Sequence, residues 1–190
     1  MKRFIISVIL ALTMLPLANA QRMPQDNWYL ENTIGQSGSG DGQFSGVWGI
    51  TVGSNDNLFV VDQGNHRIQV FDQKGSFLFK WGSNGSGNQQ FSSPRAIAVG
   101  PNGLVYVADL GNNRIQVFDQ SGTFQRGWPC PSPVGVGINR QNGLVHVADN
   151  ANKQIKVFLD DGATGTIVSV WGEPGSIPGK FEDMRGVAVG

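Results

Sequence analysis

Three aspartates recur at equivalent places in a repeated phrase, and their carboxylates could carry chemistry. Asp62, Asp109 and Asp149 each follow a short apolar run, and the phrase recurs at a period of roughly 40 to 50 residues. Arg67 and Arg114 stand five residues after the first two aspartates. A carboxylate in this place can cap the following turn or pair with the arginine across it. Because the arrangement is repeated, we interpret these five residues as structural positions.

Residues that change between repeats are the better candidates for binding. The position that opens each predicted inner strand holds Trp48, Arg95, Gly135 and Arg185. Tryptophan and arginine are the side chains most enriched at binding hot spots. The neighbouring turns bring further polar residues to the same end, namely His66, Asn112 and Asn152. The sequence therefore predicts a face that binds an unknown protein or small ligand.

The two histidines do not suggest a metal site. His66 lies in a turn and His146 lies within an apolar run, so they occupy different places in the repeat. A zinc site needs a full set of ligands close together, which neither neighbourhood offers. The sequence also lacks the strand–Gly-x-Ser-x-Gly–helix context of a nucleophilic serine. We predict no metal, no cofactor and no catalytic residue.

The elements that must position these residues are short strands. Each repeat contains four β-branched or aromatic runs, separated by the Gly, Asn, Asp and Ser residues that suit tight turns. Four antiparallel strands per repeat make up one blade, so we predict an all-β β-propeller. Trp81, Trp128 and Trp171 end the fourth strands and are assigned to packing between blades. The predicted strands are 48–52, 58–62, 67–72 and 77–81, then 95–99, 104–109, 114–119 and 123–128, then 134–139, 144–149, 154–159 and 166–171.

The chain divides into a leader and a run of blades. Residues 1–20 have a basic start, an apolar run and a small-x-small cleavage site, which is the pattern of a secretory signal peptide. An N-terminal leader at 21–27 precedes an outer strand and its loop at 28–43. Three blades then follow at about 44–90, 91–130 and 131–180, and a further blade starts at 181–190.

Composition narrows the range of partners. Without the signal, acidic residues outnumber basic ones by two, which gives no general grip on nucleic acid. The apolar run of the signal is short for a membrane span, and Gln21 stands where a lipid-anchored protein would carry cysteine. We predict a secreted protein, periplasmic or extracellular, with no membrane anchor after cleavage. The single cysteine, Cys130, is interpreted as a small buried apolar residue.

The second repeat resembles the NHL repeat. The family pattern is Phe, then Pro-x-Gly-Ile-Ala-Val, then Gly-x-Ile-Tyr-Val-Ala-Asp, then Asn-x-Arg-Ile-Gln-Val-Phe. The pattern matches this sequence at almost every position of Phe91, Pro94, 96–99, 103–109 and 112–118. The third repeat departs most, since Gln154 replaces the arginine. The resemblance covers about 28–190 and implies a β-propeller, commonly of about six blades.

The resemblance also implies a range of functions, because a fold does not fix an activity. NHL propellers include binding platforms, sensor domains and a peptide-amidating zinc lyase. That lyase places zinc-binding histidine at the start of inner strands, and none of the four starts seen here is histidine. We therefore expect no amidating-lyase zinc site in this chain.

We expect an exported, non-catalytic binding scaffold. The alternative is a propeller enzyme of the lyase or lactone-hydrolase type, and a third possibility is a structural module of a larger surface protein. Closed propellers have about 4 to 8 blades, which this chain cannot supply. The sequence is expected to be a fragment whose missing C-terminal blades complete the ring, or else two chains complete each other.

Overall fold

Three four-stranded antiparallel sheets follow one another along the chain. The computed structural model describes residues 33–189. A short parallel pair, β1 (Gln36–Ser37) with β2 (Gln43–Phe44), precedes blade 1, which contains β3 (Val47–Val52), β4 (Leu58–Asp62), β5 (Arg67–Phe71) and β6 (Phe77–Trp81). An equivalent pair, β7 (Ser83–Asn84) with β8 (Gln90–Phe91), precedes blade 2, which contains β9 (Pro94–Val99), β10 (Val105–Asp109), β11 (Arg114–Phe118) and β12 (Phe124–Pro129). Blade 3 contains β13 (Pro133–Ile138), β14 (Val145–Asp149), β15 (Gln154–Asp160) and β16 (Gly165–Trp171).

The first strand of each blade faces its neighbours at the centre of the molecule. Strand β3 lies against β9, and β9 lies against β13, whereas β6, β12 and β16 are the outer strands. Small residues permit this approach: a Cβ added at Gly49 would lie 2.9 Å from the carbonyl oxygen of Arg95. Inner strands packed around a common axis are the architecture of a β-propeller. The predicted fold class is confirmed, and every end of the predicted strands lies within one residue of the observed end.

The turn between the second and third strands ends on a residue with positive φ in each blade. In blades 1 and 2 a short 3₁₀ turn, Gln63–Asn65 or Leu110–Asn112, leads to a residue in the left-handed region. His66 and Asn113 have φ of 52° and Lys153 has φ of 56°. Asparagine adopts this conformation most readily among residues with a Cβ, so histidine and lysine are held there by the surrounding turn.

Blades pack through aromatic side chains against glycine turns. A Cβ added at Gly122 would lie 2.8 Å from the Trp81 ring, and one added at Gly165 would lie 2.4 Å from the Trp128 ring. Both indoles are buried, in agreement with their predicted packing role. Trp171, which ends the outer strand of blade 3, is 52% exposed. Its exposure reflects the absence of a following blade from the described residues.

The structure corrects one prediction from the sequence, at residues 181–190, and several others fall outside the described residues. The predicted opening strand of a further blade, within 181–190, forms no strand among the described residues, where the only pairing is an isolated bridge between Pro174 and Phe181. The segment nevertheless passes close to β13, because a Cβ added at Gly135 would lie 2.7 Å from the Cα of Gly186. Within the part of the chain that the structure describes, no strand pairs with residues 182–189. The predicted signal peptide, the leader at 21–27 and residues 28–32 of the predicted outer strand lie outside the described residues.

Within residues 33–189, no helix has the length and apolar character needed to cross a membrane.

Candidate functional site

The best-formed candidate site is a stacked pair of side chains on neighbouring inner strands. Trp48 lies on β3 and Arg95 on β9, and the guanidinium carbon of Arg95 lies 4.3 Å from the centroid of the indole. The tryptophan is 53% exposed, so part of its ring remains open to solvent. A cation over an aromatic face contributes about 0.5–1 kcal/mol at an exposed site. The structure therefore brings together two residues that the sequence placed on separate blades.

The charge of Arg95 has no balancing carboxylate among the described residues. Its Nε is buried and has no hydrogen-bond acceptor, and none of the ion pairs in the described residues includes Arg95. A buried donor without a partner is unfavourable by about 1–3 kcal/mol. The stacked guanidinium is thus a fixed, uncompensated cation beside an exposed aromatic ring.

The register of the inner strands corrects one predicted position. Gly135 occupies the place of close approach, as Gly49 does in blade 1, so it is not the equivalent of Trp48. The equivalent residue is Val134, which is 2% exposed and packs with Met184. The sequence pattern aligned Gly135 with Trp48 because blade 3 lacks the arginine or tryptophan that marks the start of the inner strand. Blade 3 therefore presents an apolar residue at this position.

Arg185 is displayed differently from Arg95. Its side chain is 82% exposed, and its Nε donates a hydrogen bond to Asp183 Oδ2 at 3.1 Å. A neighbouring carboxylate therefore balances its charge. Of the four residues predicted to open the inner strands, Trp48 and Arg95 are the two that contact each other.

The three predicted turn residues are not equivalent to one another. Asn112 and Asn152 each follow their repeat aspartate by three residues, whereas His66 follows by four. The equivalent of His66 in the second repeat is Asn113. His66 lies near the candidate pair, because its Nδ1 is 3.4 Å from the backbone nitrogen of Ser93.

Asn112 and Asn152 are engaged in structural hydrogen bonds. Asn112 Nδ2 donates to Asp109 Oδ2 at 2.9 Å and to the Gly85 carbonyl at 2.8 Å. Asn152 Nδ2 donates to Asp149 Oδ2 at 2.7 Å. Asn65, which the sequence reading did not single out, makes the same bond to Asp62 at 2.8 Å. The sequence does contain the signal for this set, because Asn65, Asn112 and Asn152 each stand three residues after the repeat aspartate.

The repeated aspartate is the centre of a buried network. In blade 1 the Asp62 carboxylate is fully buried and accepts bonds from Ser45 N at 2.8 Å, Arg67 Nε at 2.7 Å and Gln69 Nε2 at 3.1 Å. Charge-assisted bonds of this kind are the strong ones, and losing one partner of a buried pair is unfavourable by about 3–5 kcal/mol. The carboxylate therefore ties the turn, the third strand and the start of the inner strand together.

The arginine of this network also holds the loop that precedes its blade. Arg67 donates from its terminal nitrogens to the carbonyls of Ser39, Gly40 and Gln43, at 2.7 to 2.9 Å. We call this arrangement the arginine clasp. Blade 2 repeats it, with Arg114 donating to Asp109 and to the carbonyls of Ser86, Gly87 and Gln90. A planar fork with five donors suits several acceptors at once.

Blade 3 keeps the charge balance without the clasp. Gln154 stands in place of the arginine, and Lys156 stands in place of the glutamine of the other two blades. The Lys156 ammonium lies 2.6 Å from Asp149 Oδ2. The connection from β12 to β13 is only residues 130–132, so blade 3 has no preceding glycine-serine loop for an arginine to hold.

A second buried polar group joins blades 2 and 3. The Tyr106 hydroxyl donates to Asp160 Oδ2 at 2.7 Å, and Arg126 Nε donates to Asp160 Oδ1 at 2.7 Å. Burial, together with the bond to the carboxylate, raises the pKa of Tyr106 to about 12. Burial opposes the ionisation of Asp160, but the bonds from Arg126 and Tyr106 outweigh it and lower the pKa of the carboxyl.

Groups with the chemistry of metal binding are not assembled in the described residues. Within 33–189 no group of three His, Cys, Asp or Glu side chains is placed to hold a metal ion. Cys130 is fully buried, and burial raises the pKa of its thiol to about 12. His146 is buried in blade 3, with its ring centroid 5.6 Å from that of Trp171. These residues do not converge on one site.

These blades and their repeated contacts define a β-propeller built from sequence repeats. Residues 44–71 and 91–118 match the NHL repeat, so the chain carries this repeat at two positions. Protein lin-41 of Caenorhabditis elegans is 44% identical over 48 residues, which is 25% of this chain and 4% of lin-41. Protein brain tumor of Drosophila melanogaster is 41% identical over 49 residues, which is 26% of this chain and 5% of that protein. The chain thus spans a small part of the length of both relatives.

Solved structures share the architecture at low sequence identity. The virginiamycin B lyase of Staphylococcus aureus matches with a TM-score of 0.54 at 17% identity, covering 71% of this chain and 42% of the lyase. The β-propeller domain of Cps50 (Swd1) from Myceliophteria thermophila matches with a TM-score of 0.53 at 10% identity, covering 75% of this chain and 46% of that one. Likeness at these identities shows the fold alone.

Proposed function

We propose that this protein is an exported, non-catalytic binding scaffold whose recognition surface is centred on Trp48 and Arg95. The observation that carries the proposal is the stacking of the Arg95 guanidinium on the exposed Trp48 ring across the boundary between blades 1 and 2. Tryptophan and arginine dominate binding hot spots because each buries a large area and offers directed polar contacts.

The chemistry of the pair favours a partner with an anionic group. Arg95 has no carboxylate of its own among the described residues, so a carboxylate of the partner would neutralise a charge that is already held in place. Because the guanidinium is already stacked on Trp48, little side-chain entropy would be lost on binding. An acidic segment of a protein partner has this chemistry.

The test is a comparison of alanine variants against a captured partner. The full chain would be immobilised, partners retained from extracellular or periplasmic extract identified by mass spectrometry, and the purified partner titrated by calorimetry. Trp48→Ala and Arg95→Ala are each expected to weaken binding by about 2 kcal/mol or more. Leu78→Ala is the matched control, since Leu78 is 44% exposed on an outer strand. Equal affinity of all three variants and the parent would exclude this surface.

A propeller enzyme is the second candidate, because a solved lyase shares the fold. The assay is incubation of the full chain with virginiamycin B, followed by mass spectrometry of the antibiotic. The scaffold proposal expects the antibiotic to remain unchanged, whereas turnover that scales with protein concentration would replace the scaffold proposal with the enzyme.

A further inference from the structure

A cleft of about 300 Å³ opens on the outer part of blade 2, away from the inner strands that carry Trp48 and Arg95. It lies between the loop that precedes the blade and the last two strands, β11 and β12. The residues that decide its character are Asn88, Asn113, Arg114, Phe124, Gly127 and Pro129.

The cleft exists because two positions of the repeat have changed together. In blade 1, Lys80 is paired with Gln69 across β5 and β6, and its ammonium contacts the loop residue Asp41. The equivalent pair in blade 2 is Gly127 with Gln116, and the equivalent loop residue is Asn88. The side chain and the ion pair that cover this place in blade 1 are therefore both missing in blade 2.

The glycine is also required by the local backbone. A Cβ added at Gly127 would lie 2.7 Å from the carbonyl oxygen of Ile115, which is closer than real Cβ contacts. A side chain at this point would therefore require β12 to shift away from β11. The opening is built into the backbone of the blade.

The walls offer hydrogen-bonding groups that the protein does not use. Within the described residues the Asn88 amide makes no hydrogen bond, and Asn113 uses only its Oδ1, which accepts from Ser132 N at 2.9 Å. Arg114 retains one N–H on the nitrogen that also donates to Ser86. Unpaired amide groups of this kind both donate and accept.

The cleft is polar without carrying net charge. The only cation in its wall, Arg114, lies 2.8 Å from the Asp109 carboxylate, which balances it. Phe124 and Pro129 supply an apolar part of the wall. A few placed polar groups beside an apolar wall are typical of small-ligand sites.

We infer that this cleft binds a neutral saccharide. A sugar hydroxyl donates and accepts at once, as an amide side chain does, so Asn88 and Asn113 can each make paired contacts with a sugar ring. The C–H face of the ring would lie against Phe124 and Pro129. Charged ligands gain nothing here, because the guanidinium is already paired with Asp109. This site is independent of the proposed recognition surface at Trp48 and Arg95.

The experiment uses saturation-transfer NMR and calorimetry on the full chain with maltotriose, cellotriose and chitotriose as probes. Binding of at least one trisaccharide is expected. Asn88→Trp, a substitution in an exposed loop, fills the cleft and should weaken that binding about tenfold or more, since at least one hydrogen bond is lost. The double variant Asn88→Asp with Gly127→Lys rebuilds the blade 1 ion pair and should do the same.

The matched control opens the equivalent place in blade 1. Asp41→Asn with Lys80→Gly removes an exposed ion pair and should leave the blade 2 site intact, so trisaccharide affinity is expected to be retained or increased. Circular dichroism confirms that each variant is folded, and Asn88→Trp decides the result if the Gly127 variant unfolds. The inference is overturned if no trisaccharide binds, if folded Asn88→Trp binds as the parent does, or if Trp48→Ala abolishes the saccharide binding.

Discussion

The ammonium of Lys156 lies 2.6 Å from the carboxylate of Asp149 and supplies the positive charge that arginine supplies in the other two blades. It reaches the carboxylate from a position two residues further along the third strand. The repeat therefore conserves the buried charge pair while exchanging the residue that provides the cation.

The first prediction concerns this exchange. Lys156→Gln leaves the buried Asp149 carboxylate without a cation, so the free energy of unfolding should fall by about 3–5 kcal/mol. The double variant Gln154→Arg with Lys156→Gln restores the arrangement of blade 1 and should recover most of that loss. Denaturant unfolding measures both. Lys180→Gln is the control, since it removes an exposed pair with Glu173, and a loss as large as that of Lys156→Gln would contradict the argument.

The second prediction concerns the arginine clasp. Arg67→Lys keeps the charge beside Asp62 but cannot donate to three loop carbonyls at once, so stability should fall by about 2 kcal/mol. Amide hydrogen exchange should accelerate in the loop 38–43, while exchange in blade 3 stays unchanged. Arg185→Lys serves as control, because that side chain is 82% exposed. Unaltered exchange in the loop would show that the clasp does not hold it.

The third prediction concerns the packing between blades 2 and 3. Gly165→Ala places a methyl group 2.4 Å from the Trp128 ring, so the indole must move and stability should fall by about 1–3 kcal/mol. A shift in tryptophan fluorescence should accompany the loss. Gly186→Ala provides the comparison, because a Cβ there meets nothing within 4 Å. Equal stability of the two variants would mean that the contact does not constrain the interface.

The fourth prediction concerns alkaline pH. The pKa of Tyr106 rises from 10.0 to about 12 on folding, so the unfolded chain loses its proton first as the pH increases. The stabilisation is complete below pH 10 and is lost between pH 10 and about pH 12, by about 2 kcal/mol in total. Tyr106→Phe should be less stable at pH 7 but should lack this part of the decline. The measurement is the free energy of unfolding of both proteins as a function of pH. An equal decline in the parent and in Tyr106→Phe would contradict this role of Tyr106.

The fifth prediction concerns export. Expression with the complete signal peptide, residues 1–20, should yield a protein outside the cytoplasm. Its first residue should be Gln21, as the cleavage pattern at 18–20 indicates. Intact-mass measurement of the exported protein gives the answer. Replacing Ala18 and Ala20 with bulky residues should block processing, and an uncleaved chain in the parent would rule out the signal peptide.

Much of this fold was predictable from the residue pattern, because each blade has the same four strands and buries equivalent positions. Runs such as Arg67–Phe71 alternate with glycine and asparagine turns, and local pattern alone placed the ends of the twelve strands in blades 1 to 3 within one residue. It did not predict the short strands β1, β2, β7 and β8. Equivalences between repeats were less secure. Gly135 was aligned with Trp48 because blade 3 lacks the arginine or tryptophan that marks this position in the first two blades.

The sequence by itself determined the repeat, its strands and the chemical type of each candidate residue, since these depend on contacts between near neighbours in the chain. Only the tertiary structure decided which residues act together. The stacking of Arg95 on Trp48 and the cleft beside Gly127 both arise where elements from different strands or blades meet. Such contacts change when the separation of two backbones changes by a few tenths of an ångström, and no local sequence pattern specifies that separation.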